Sequence, residues 1–410
     1  MNSIDIDPES AELLDGLEGF LRKEVTRRHE EHAALLTDPR RRFDENGLYT
    51  EDVVTLLREI RMASADAGYF TMFVPESLGG AGLGATMWYH AWERLFRSCS
   101  VIEWMGPQAL AHWATGPSPV IEKCSEEMRA NVLPGLMSGR ETMCFAMSEP
   151  DAGTDVWQMK THAVRDGDGW RISGIKQWIT NGPHADYALV FAVTDKDLVA
   201  KRRGGISAFL VPTTSPGFQM AEVIKLFGNI GGDEAVFHLT EVRVEEANLV
   251  GELNNGFAVG RLGIGLGKLY NAAKAIGWGN WAMSLAQEHV SGGRRTFGRP
   301  LSDHQGIMFP LAESAIDLHA ARAMAMRCAA LMDVGQPYAD EMAMTKVLAS
   351  EAGFRALDRV IQSFGATGFT NELHLTDAFI ALRRIRISDG SAEMMRRQIA
   401  GSIAAGRLTF

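Results

Sequence analysis

The chain has 410 residues, 46% of them apolar and 22% charged, and its formal net charge is −10. A chain of this length exceeds one small core, so it predicts two or three domains of ordinary globular composition. The acidic balance and the lack of a dense lysine and arginine cluster argue against nucleic-acid binding. No apolar run approaches the ~20 residues that a membrane helix needs, which argues against membrane insertion.

Cysteine usage and the first residues indicate the compartment. Residues 1–10 are acidic and carry neither the apolar core of a signal peptide nor the bias of a transit peptide. The four cysteines form no Cys-x-x-Cys pair and are typical of reduced, mostly buried thiols. We therefore predict a cytoplasmic protein. These cysteines are Cys99, Cys124, Cys144 and Cys328.

The histidines give no sign of a metal site. The sequence contains no HExxH motif. His29 and His32 are spaced i,i+3, but their charged neighbours favour a solvated helix face. We predict that the protein binds no metal.

The first part of the chain, residues 1–140, is predicted to form a helical domain. Apolar residues between Leu13 and Val25 recur at helical spacing. Residues 51–66 and 85–97 mix apolar and charged side chains without the alternation that is typical of a strand.

A glycine-rich segment, Gly80-Ala-Gly-Leu-Gly-Ala85, separates two of these helical stretches. It fits a relaxed G-x-G-x-x-A pattern, and Glu103 follows about 20 residues later, as in dinucleotide-binding folds. No succession of alternating strands and helices follows it, however. We therefore predict a structural loop.

The middle part, residues 141–255, changes character. Short β-branched or aromatic runs are separated by turn signals such as Asp166-Gly167 and Asn181-Gly182. This pattern predicts a small antiparallel β domain or barrel. The predicted strands are residues 159–165, 170–175, 187–193, 206–212 and 234–244.

The last part, residues 256–410, is helical again. An apolar face runs from Leu357 to Phe364, and Gly365 follows where a helix C-cap is expected. The segment Ser302–Gln305 has the composition of a helix start. The whole chain is thus predicted to be α+β, with a helical domain, a β domain and a helical bundle in that order.

Two polar segments in the middle part indicate a ligand site. They are Met147-Ser-Glu-Pro-Asp-Ala-Gly-Thr-Asp155 and Lys176-Gln-Trp-Ile-Thr-Asn-Gly182. Together they predict a slot for a planar ring, with an indole on one side and hydroxyl and backbone donors along its edge. The alternative is that Ser148, Thr154 and Thr180 merely stabilise turns and helix caps, which would explain each of them taken singly.

These segments resemble the flavin-contacting segments of the acyl-CoA dehydrogenase family, in the right order and at the right spacing. The resemblance continues at Arg294-Arg-Thr-Phe-Gly298, at Gln362-Ser-Phe-Gly365 and at Ile387-Ser-Asp-Gly-Ser391. It covers nearly the whole chain. It implies the helical, β and helical domain order of that family, and FAD as cofactor.

The resemblance also implies roles for individual residues toward FAD. Trp178 would lie against the flavin ring and Thr180 at its reactive edge, where charge develops on reduction. The guanidinium of Arg294 would meet the pyrophosphate, whose oxygens suit its fork of donors. Some of these contacts would come from a neighbouring subunit. The other residues implied for FAD are Phe145, Met147, Ser148, Phe297, Gln305, Gln362, Gly365 and Ser391.

Asp389 is the implied catalytic base. The family places its base, most often Glu, immediately before a Gly-Thr or Gly-Ser pair near the C-terminus, and the matching run here carries Asp. An alternative base position of some relatives aligns with about Gly267, which has no carboxylate. Other relatives do use Asp, among them a branch acting on long or branched acyl-CoAs, and also nitroalkane oxidase. A buried carboxylate in this position is expected to have a raised pKa.

The substrate side is also read from the resemblance. Thr154 falls where the family contacts the CoA moiety, and Gly390 adjoins the base. Trp104 aligns with the floor of the acyl pocket, where its side chain would shorten the pocket or simply form part of the core. Lys268 falls near a position that is often Arg in the family.

We therefore expect an FAD-dependent acyl-CoA dehydrogenase. Asp389 would take the α-proton of an acyl-CoA thioester, the flavin N5 would accept the β-hydride, and trans-2-enoyl-CoA would form. A homodimer or homotetramer and an electron-transfer flavoprotein as acceptor are implied. Two alternatives stay open: a flavin oxidase or monooxygenase of the same fold acting on a non-CoA carbon acid, and a low-activity partner subunit of a hetero-oligomer.

Overall fold

A computed structural model of the protein describes residues 6–408. These residues group into two compact units, each made of separate stretches of chain. The first unit contains the described residues up to Thr26, residues Gly84–Pro107 and the chain from Leu266 onward. The second unit contains Arg27–Leu83 and Gln108–Gly265.

Helices occupy both ends of the chain. A π-helical segment, Leu21–Thr26, continues the first α-helix. The α-helices are α1 (Pro8–Phe20), α2 (Arg27–Glu31), α3 (Ala33–Leu36), α4 (Pro39–Arg42), α5 (Glu51–Asp66), α6 (Ala85–Cys99), α7 (Glu126–Met137), α8 (Lys196–Ala200), α9 (Gly256–Ser291), α10 (Gln305–Asp333), α11 (Ala339–Phe364), α12 (Leu375–Ile385) and α13 (Ala392–Ala404).

The helix limits follow local sequence signals. The side chain of Asp7 accepts a hydrogen bond from the backbone N of Ser10 at 2.9 Å, and Pro8 occupies the first turn of α1. Helix α5 covers the predicted residues 51–66, and α10 begins at Gln305, as the segment Ser302–Gln305 predicted.

The first unit is a helical bundle held by close helix contacts. Helix α11 packs against α10, α12 and α13, and α6 packs against α1 and α10. A Cβ at Gly353 of α11 would overlap the carbonyl oxygen of Ala275 in α9. Glycine at this point therefore lets α9 and α11 approach each other, and both helices carry residues of the candidate site.

The second unit contains an eight-stranded sheet in the order β6-β7-β3-β2-β4-β5-β8, with β1 paired to β4. Its strands are β1 (Met143–Ala146), β2 (His162–Asp166), β3 (Gly169–Thr180), β4 (Tyr187–Val193), β5 (Ile206–Pro212), β6 (Phe218–Val223), β7 (Glu234–Glu245) and β8 (Leu249–Val250). A separate small hairpin in the first unit joins β9 (Arg295–Thr296) and β10 (Arg299–Pro300).

Both faces of this sheet are covered by apolar side chains, because successive residues of a strand point to opposite sides. Strand β4 shows the alternation. One core cluster takes Leu189, Phe191 and Val193, and the other takes Ala188, Val190 and Ala192.

The predicted α+β class and the order of helical, β and helical regions are confirmed, but the sheet is mixed rather than purely antiparallel. Strand β1 runs parallel to β4, with pairs from Met143↔Tyr187 to Ala146↔Val190. Parallel strands need a long connection between them, and here the complete β2–β3 hairpin lies between β1 and β4 in the chain. The predicted boundaries after residues 140 and 255 stay a prediction.

Several smaller expectations concern single features. Gly80 packs against Val74, where a Cβ would overlap the backbone, so the glycine-rich segment is a structural loop. His29 is half-buried, whereas its neighbour His32 is exposed. The four cysteines are buried and unpaired. Within residues 6–408, no helix has the length and apolar character to cross a bilayer.

Candidate active site

The two polar segments of the second unit are joined directly. Strand β1 ends at Ala146 and leads into the turn that begins with Met147 and Ser148. The backbone N of Gln177 donates to the carbonyl oxygen of Ser148 at 2.9 Å. The ammonium of Lys176 donates to the carbonyl oxygen of Met147 at 3.0 Å. The structure thus brings together the segments that were predicted to contact the flavin.

A buried ion pair lies under this junction. Lys176 Nζ and Glu149 Oε1 are 2.8 Å apart, and their side chains are 0% and 4% exposed. The carboxylate also accepts from the backbone N of Lys160 at 2.7 Å and of Thr161 at 3.0 Å. Burial lowers the pKa of Lys176, although Glu149 opposes the shift. Burial alone would raise the pKa of Glu149, but Lys176 and the hydrogen bonds outweigh it and lower it.

Trp178 occupies a strained position at the end of β3. The β3–β7 ladder has an irregularity between Gln177 and Ile179, and Trp178 has a φ of 65°. Its side chain is 53% exposed, whereas Ile179 is buried. Positive φ is uncommon for a bulky residue and persists only where its surroundings over-determine it. The bulge therefore leaves the indole of Trp178 exposed to solvent.

Other residues predicted for the flavin and for CoA lie in the same two segments or on β1. Phe145 packs against Trp113 at 5.0 Å and against Phe191 at 4.8 Å between ring centroids. Thr180, two residues after Trp178, is exposed, and its hydroxyl donates to the carboxylate of Glu234 at 2.9 Å. Thr154, predicted to contact CoA, is exposed in the turn after Met147. An exposed indole and exposed hydroxyl-bearing residues therefore lie in the two segments, as the sequence predicted.

In the first unit, Asp389 lies in the short turn between α12 and α13. Its φ is 52°, and that of Gly390 is 91°, so two successive residues are left-handed. A Cβ at Gly390 would lie 2.8 Å from Met395 Cε. Ser391 then caps α13, since its hydroxyl accepts from the backbone N of Met394 at 3.3 Å. The turn is compact and places the carboxylate just before a helix start.

The carboxylate of Asp389 is held by residues that the sequence did not single out. Asn271 Nδ2 on α9 donates to Asp389 Oδ2 at 2.6 Å, and Asn271 is 6% exposed. Lys346 Nζ on α11 donates to the carbonyl oxygen of Gly390 at 2.5 Å and is itself 1% exposed. Two helices of the bundle therefore fix the turn from its buried side.

The electrostatics of Asp389 combine burial with nearby positive charge. Asp389 is exposed in the turn. Protein nevertheless surrounds its carboxyl group closely enough for burial to be the largest influence on its pKa. Burial raises the pKa of Asp389, and Asn271, Lys346, Lys268 and Arg384 act in the opposite direction. The net direction agrees with the expectation for a general base, whose basicity must approach its task.

The two lysines are affected in return. Burial lowers the pKa of Lys346 to about 8, with Asp389 opposing the shift and Lys268 assisting it. Burial also lowers the pKa of Lys268, again opposed by Asp389. Trp104, predicted at the acyl-pocket floor, lies half-buried in the turn after α6, next to the buried Met105.

The residues predicted for the FAD nucleotide fall at two other places in the first unit. Arg294 and Phe297 belong to the β9–β10 hairpin, where Phe297 is 91% exposed and has a φ of 53°, and Gln305 starts α10 nearby. Gln362 and Gly365 end α11, with the N of Gly365 donating to the carbonyl oxygen of Gln362. No hydrogen bond or ion pair among residues 6–408 joins these residues to Asp389.

Sequence reasoning missed the residues that support the site. Asn271, Lys346 and the Glu149–Lys176 pair support the predicted residues, and so does Glu234, whose carboxylate accepts from Thr180. A lysine within the apolar face of a long helix is the one usable signal, at Lys346. Nothing in the sequence distinguishes Asn271 from an ordinary helix residue.

Comparison with known proteins finds relatives along most of the chain. Family models for the N-terminal, middle and C-terminal domains of acyl-CoA dehydrogenase match residues 7–140, 144–242 and 254–404. The chain is 34% identical over 339 residues to cyclohexane-1-carbonyl-CoA dehydrogenase of Geobacter metallireducens, covering 82% of this chain and 87% of that protein. It is 34% identical over 336 residues to the human mitochondrial short-chain specific acyl-CoA dehydrogenase, with coverages of 82% and 80%.

A solved structure has the same fold over nearly the whole length of the chain. The crystal structure of acyl-CoA dehydrogenase from Geobacillus kaustophilus superposes with a TM-score of 0.84 at 25% identity, covering 98% of this chain and 100% of that one. The chain therefore belongs to the acyl-CoA dehydrogenase family, the FAD-dependent oxidoreductases acting on CH–CH donors, as its motifs predicted.

Proposed function

We propose that the protein oxidises an acyl-CoA thioester to the trans-2-enoyl-CoA, with Asp389 as the base that takes the α-proton. FAD, when bound, supplies the acceptor for the β-hydride. The carboxylate of Asp389 has one oxygen held by Asn271, which leaves the other for the substrate proton. The hydrogen bond of Lys346 to Gly390 holds the turn while the proton moves.

The observation that carries this proposal is the environment of Asp389. A carboxylate with a raised pKa, fixed by a buried amide and flanked by two lysines, is suited to proton abstraction. The net charge of the chain is −10, so an anionic ligand such as a CoA thioester needs local positive charge. Lys346 and Lys268 supply such charge near Asp389.

The substrate and partners complete the proposal. The two relatives named above act, by their names, on cyclohexane-1-carbonyl-CoA and on short-chain acyl-CoAs. We therefore propose a short or cyclic acyl group, with Trp104 shortening the pocket and Thr154 and Lys268 contacting the CoA side. Trp178 and Thr180 would face the flavin, and Arg294 the pyrophosphate. An electron-transfer flavoprotein would reoxidise the enzyme, which would be a homodimer or homotetramer.

The proposal is tested by anaerobic titration of the FAD-loaded protein with acyl-CoAs of graded length, branching and ring content. Loss of the flavin absorbance at about 450 nm is the readout. Bleaching by short or cyclic thioesters is the expected result. Failure of every thioester, together with bleaching by a small non-CoA carbon acid, would replace the proposal by the oxidase alternative.

Replacing Asn271 by alanine is expected to move the acid limb of kcat/KM to higher pH. The amide hydrogen bond lowers the pKa of Asp389, so its loss raises that pKa and leaves less base ionised at low pH. A hydrogen bond to a charged group contributes about 1.5–3 kcal/mol, and ~1.4 kcal/mol is tenfold, so at least a roughly tenfold loss is expected on that limb. The measurement is the pH profile of kcat/KM.

A matched control comes from the same helix. Asn280 also lies on α9, is half-buried and forms no hydrogen bond with Asp389 through its side chain. Asn280→Ala is expected to keep the wild-type pH profile. An unchanged acid limb in Asn271→Ala would show that the amide does not act on the base.

A further inference from the structure

Thr180 and Glu234 form a polar pair at the end of the β3–β7 ladder. They are direct register partners across the two strands. The hydroxyl of Thr180 donates to the carboxylate of Glu234, with distances of 3.0 Å to Oε1 and 2.9 Å to Oε2. Glu234 is 7% exposed, whereas Thr180 is exposed. The hydroxyl of an exposed residue is thus hydrogen-bonded to a buried acid.

The direction of this hydrogen bond follows from the groups involved. A threonine hydroxyl has one proton to donate and lone pairs to accept, whereas an ionised carboxylate only accepts. When Glu234 is ionised and receives the proton of the hydroxyl, the oxygen of Thr180 has only lone pairs to offer to another group. Hydrogen bonds to an ionised acceptor are roughly twice as strong as neutral ones, so this orientation is firmly held. A ligand atom that meets Thr180 must therefore be a donor.

The strand end is also held in position by its neighbours. The side-chain amide of Asn181 donates to Thr142 Oγ1 at 3.0 Å and to the carbonyl oxygen of Met143 at 2.9 Å. The backbone N of Ile224 donates to the carbonyl oxygen of Glu234 at 2.8 Å. Both members of the pair thus lie on anchored backbone, which keeps the hydroxyl within hydrogen-bonding distance of the carboxylate.

The oxidised and reduced forms of a flavin differ in whether the N5 atom accepts or donates a hydrogen bond. The N5 atom of an oxidised flavin is a hydrogen-bond acceptor, and the same atom carries a proton and donates once the flavin is reduced. An acceptor-only hydroxyl at this edge matches the reduced form and leaves the oxidised form without a partner.

We propose that Glu234 is a positioning residue that makes Thr180 a hydrogen-bond acceptor and so favours reduced over oxidised FAD. This inference rests on the proposed function, because it takes the exposed face of Trp178 and Thr180 as the flavin side. The negative charge of Glu234 acts in the opposite sense, since it disfavours added electrons nearby. The experiment must therefore separate the hydroxyl-mediated effect from the direct charge effect.

A double-mutant cycle on the FAD midpoint potential makes that separation. Glu234→Met removes the acceptor and its charge in the wild-type background and again in a Thr180→Val background. The charge effect is common to both backgrounds, so the difference between the two shifts belongs to the hydroxyl. We expect Glu234→Met to shift the midpoint potential to a more negative value in the wild-type background than in the Thr180→Val background. The difference between the two shifts is expected to be ~30 mV for a two-electron couple, or about tenfold in the ratio of reduced to oxidised FAD.

Two conservative variants test whether the coupling arises from a structural defect rather than from the hydrogen bond. Thr180→Ser keeps the hydroxyl and is expected to preserve the coupling to position 234. Glu234→Gln, which keeps a carbonyl acceptor and an amide donor at the same place, is expected to give a smaller coupling of the same sign. If Glu234→Met fails to bind FAD, the same cycle with Glu234→Gln decides the question.

The possible outcomes are distinct. A negative coupling supports the inference, even if no acyl-CoA reduces the enzyme, in which case only the proposed substrate is wrong. A coupling of zero or of opposite sign overturns it. If Thr180→Val leaves both the potential and the flavin spectrum unchanged while acyl-CoAs still bleach the protein, the hydroxyl does not face the flavin and the inference fails although the proposed function stands.

Discussion

Replacing Asp389 by asparagine is expected to slow flavin reduction by acyl-CoA about 10²–10⁴-fold, while FAD remains bound. The amide is nearly the same size as the carboxyl group but cannot accept the α-proton. The turn should keep its form, because asparagine tolerates the left-handed φ of 52° found here. The measurement is stopped-flow reduction under anaerobic conditions, with FAD content determined separately.

Two companion variants show whether the carboxylate itself is responsible. Asp377→Asn changes an acid of α12 that is 53% exposed and pairs with His374, and it is expected to reduce at the wild-type rate. Asp389→Glu extends the carboxylate by about one C–C bond, ~1.5 Å, and a displacement near 1 Å can cost ~10²-fold. It should fall between wild type and Asp389→Asn. Wild-type reduction by Asp389→Asn would exclude Asp389 as the base.

The elements that sequence predicted well have a complete local signal. Residues 187–193 and 206–212 form β4 and β5 with the predicted limits, because β4 is a continuous apolar run and Ser207 is the one polar side chain in β5. Strand β3 was predicted to end at residue 175 but continues to Thr180. The charge of Lys176 interrupts the apolar pattern, and only its buried partner Glu149 explains why it stays within the strand.

Strands β1 and β6 were not predicted, for different physical reasons. Strand β1 has only four residues and is stabilised by parallel pairing with β4, which is distant in sequence. Strand β6 lies at the edge of the sheet, and its alternating exposure includes charged and polar side chains. Neither feature can be read from a window of neighbouring residues.

The candidate site divides in the same way. Asp389, Trp178 and Arg294 stand in short motifs whose residues are adjacent in the chain, so a resemblance could identify them. Asn271 contacts Asp389 across 118 residues of sequence, and Lys346 contacts Gly390 across 44. Such partners are set by the packing of α9 and α11 and have no signature of their own.

The second large effect is expected at the buried pair under the flavin segments. Glu149→Gln should lower the free energy of unfolding by about 3–5 kcal/mol, because it leaves the buried ammonium of Lys176 without its counter-charge. Lys176→Met should cost less, since Glu149 keeps the backbone donors of Lys160 and Thr161. The measurement is urea denaturation of each FAD-loaded variant, with FAD release recorded in parallel.

An exposed ion pair in the same turn provides the comparison. Lys160 and Asp151 lie 2.7 Å apart, but their side chains are 74% and 68% exposed. Water solvates these charges when the pair is broken, so Asp151→Asn is expected to keep the wild-type unfolding midpoint. The double variant Lys176→Met with Glu149→Gln removes both buried charges and should be less destabilised than the sum of the single changes. Additive costs would mean that the two charges do not stabilise each other, and the turn from Met147 to Glu149 would then owe its position to the backbone bond between Gln177 and Ser148.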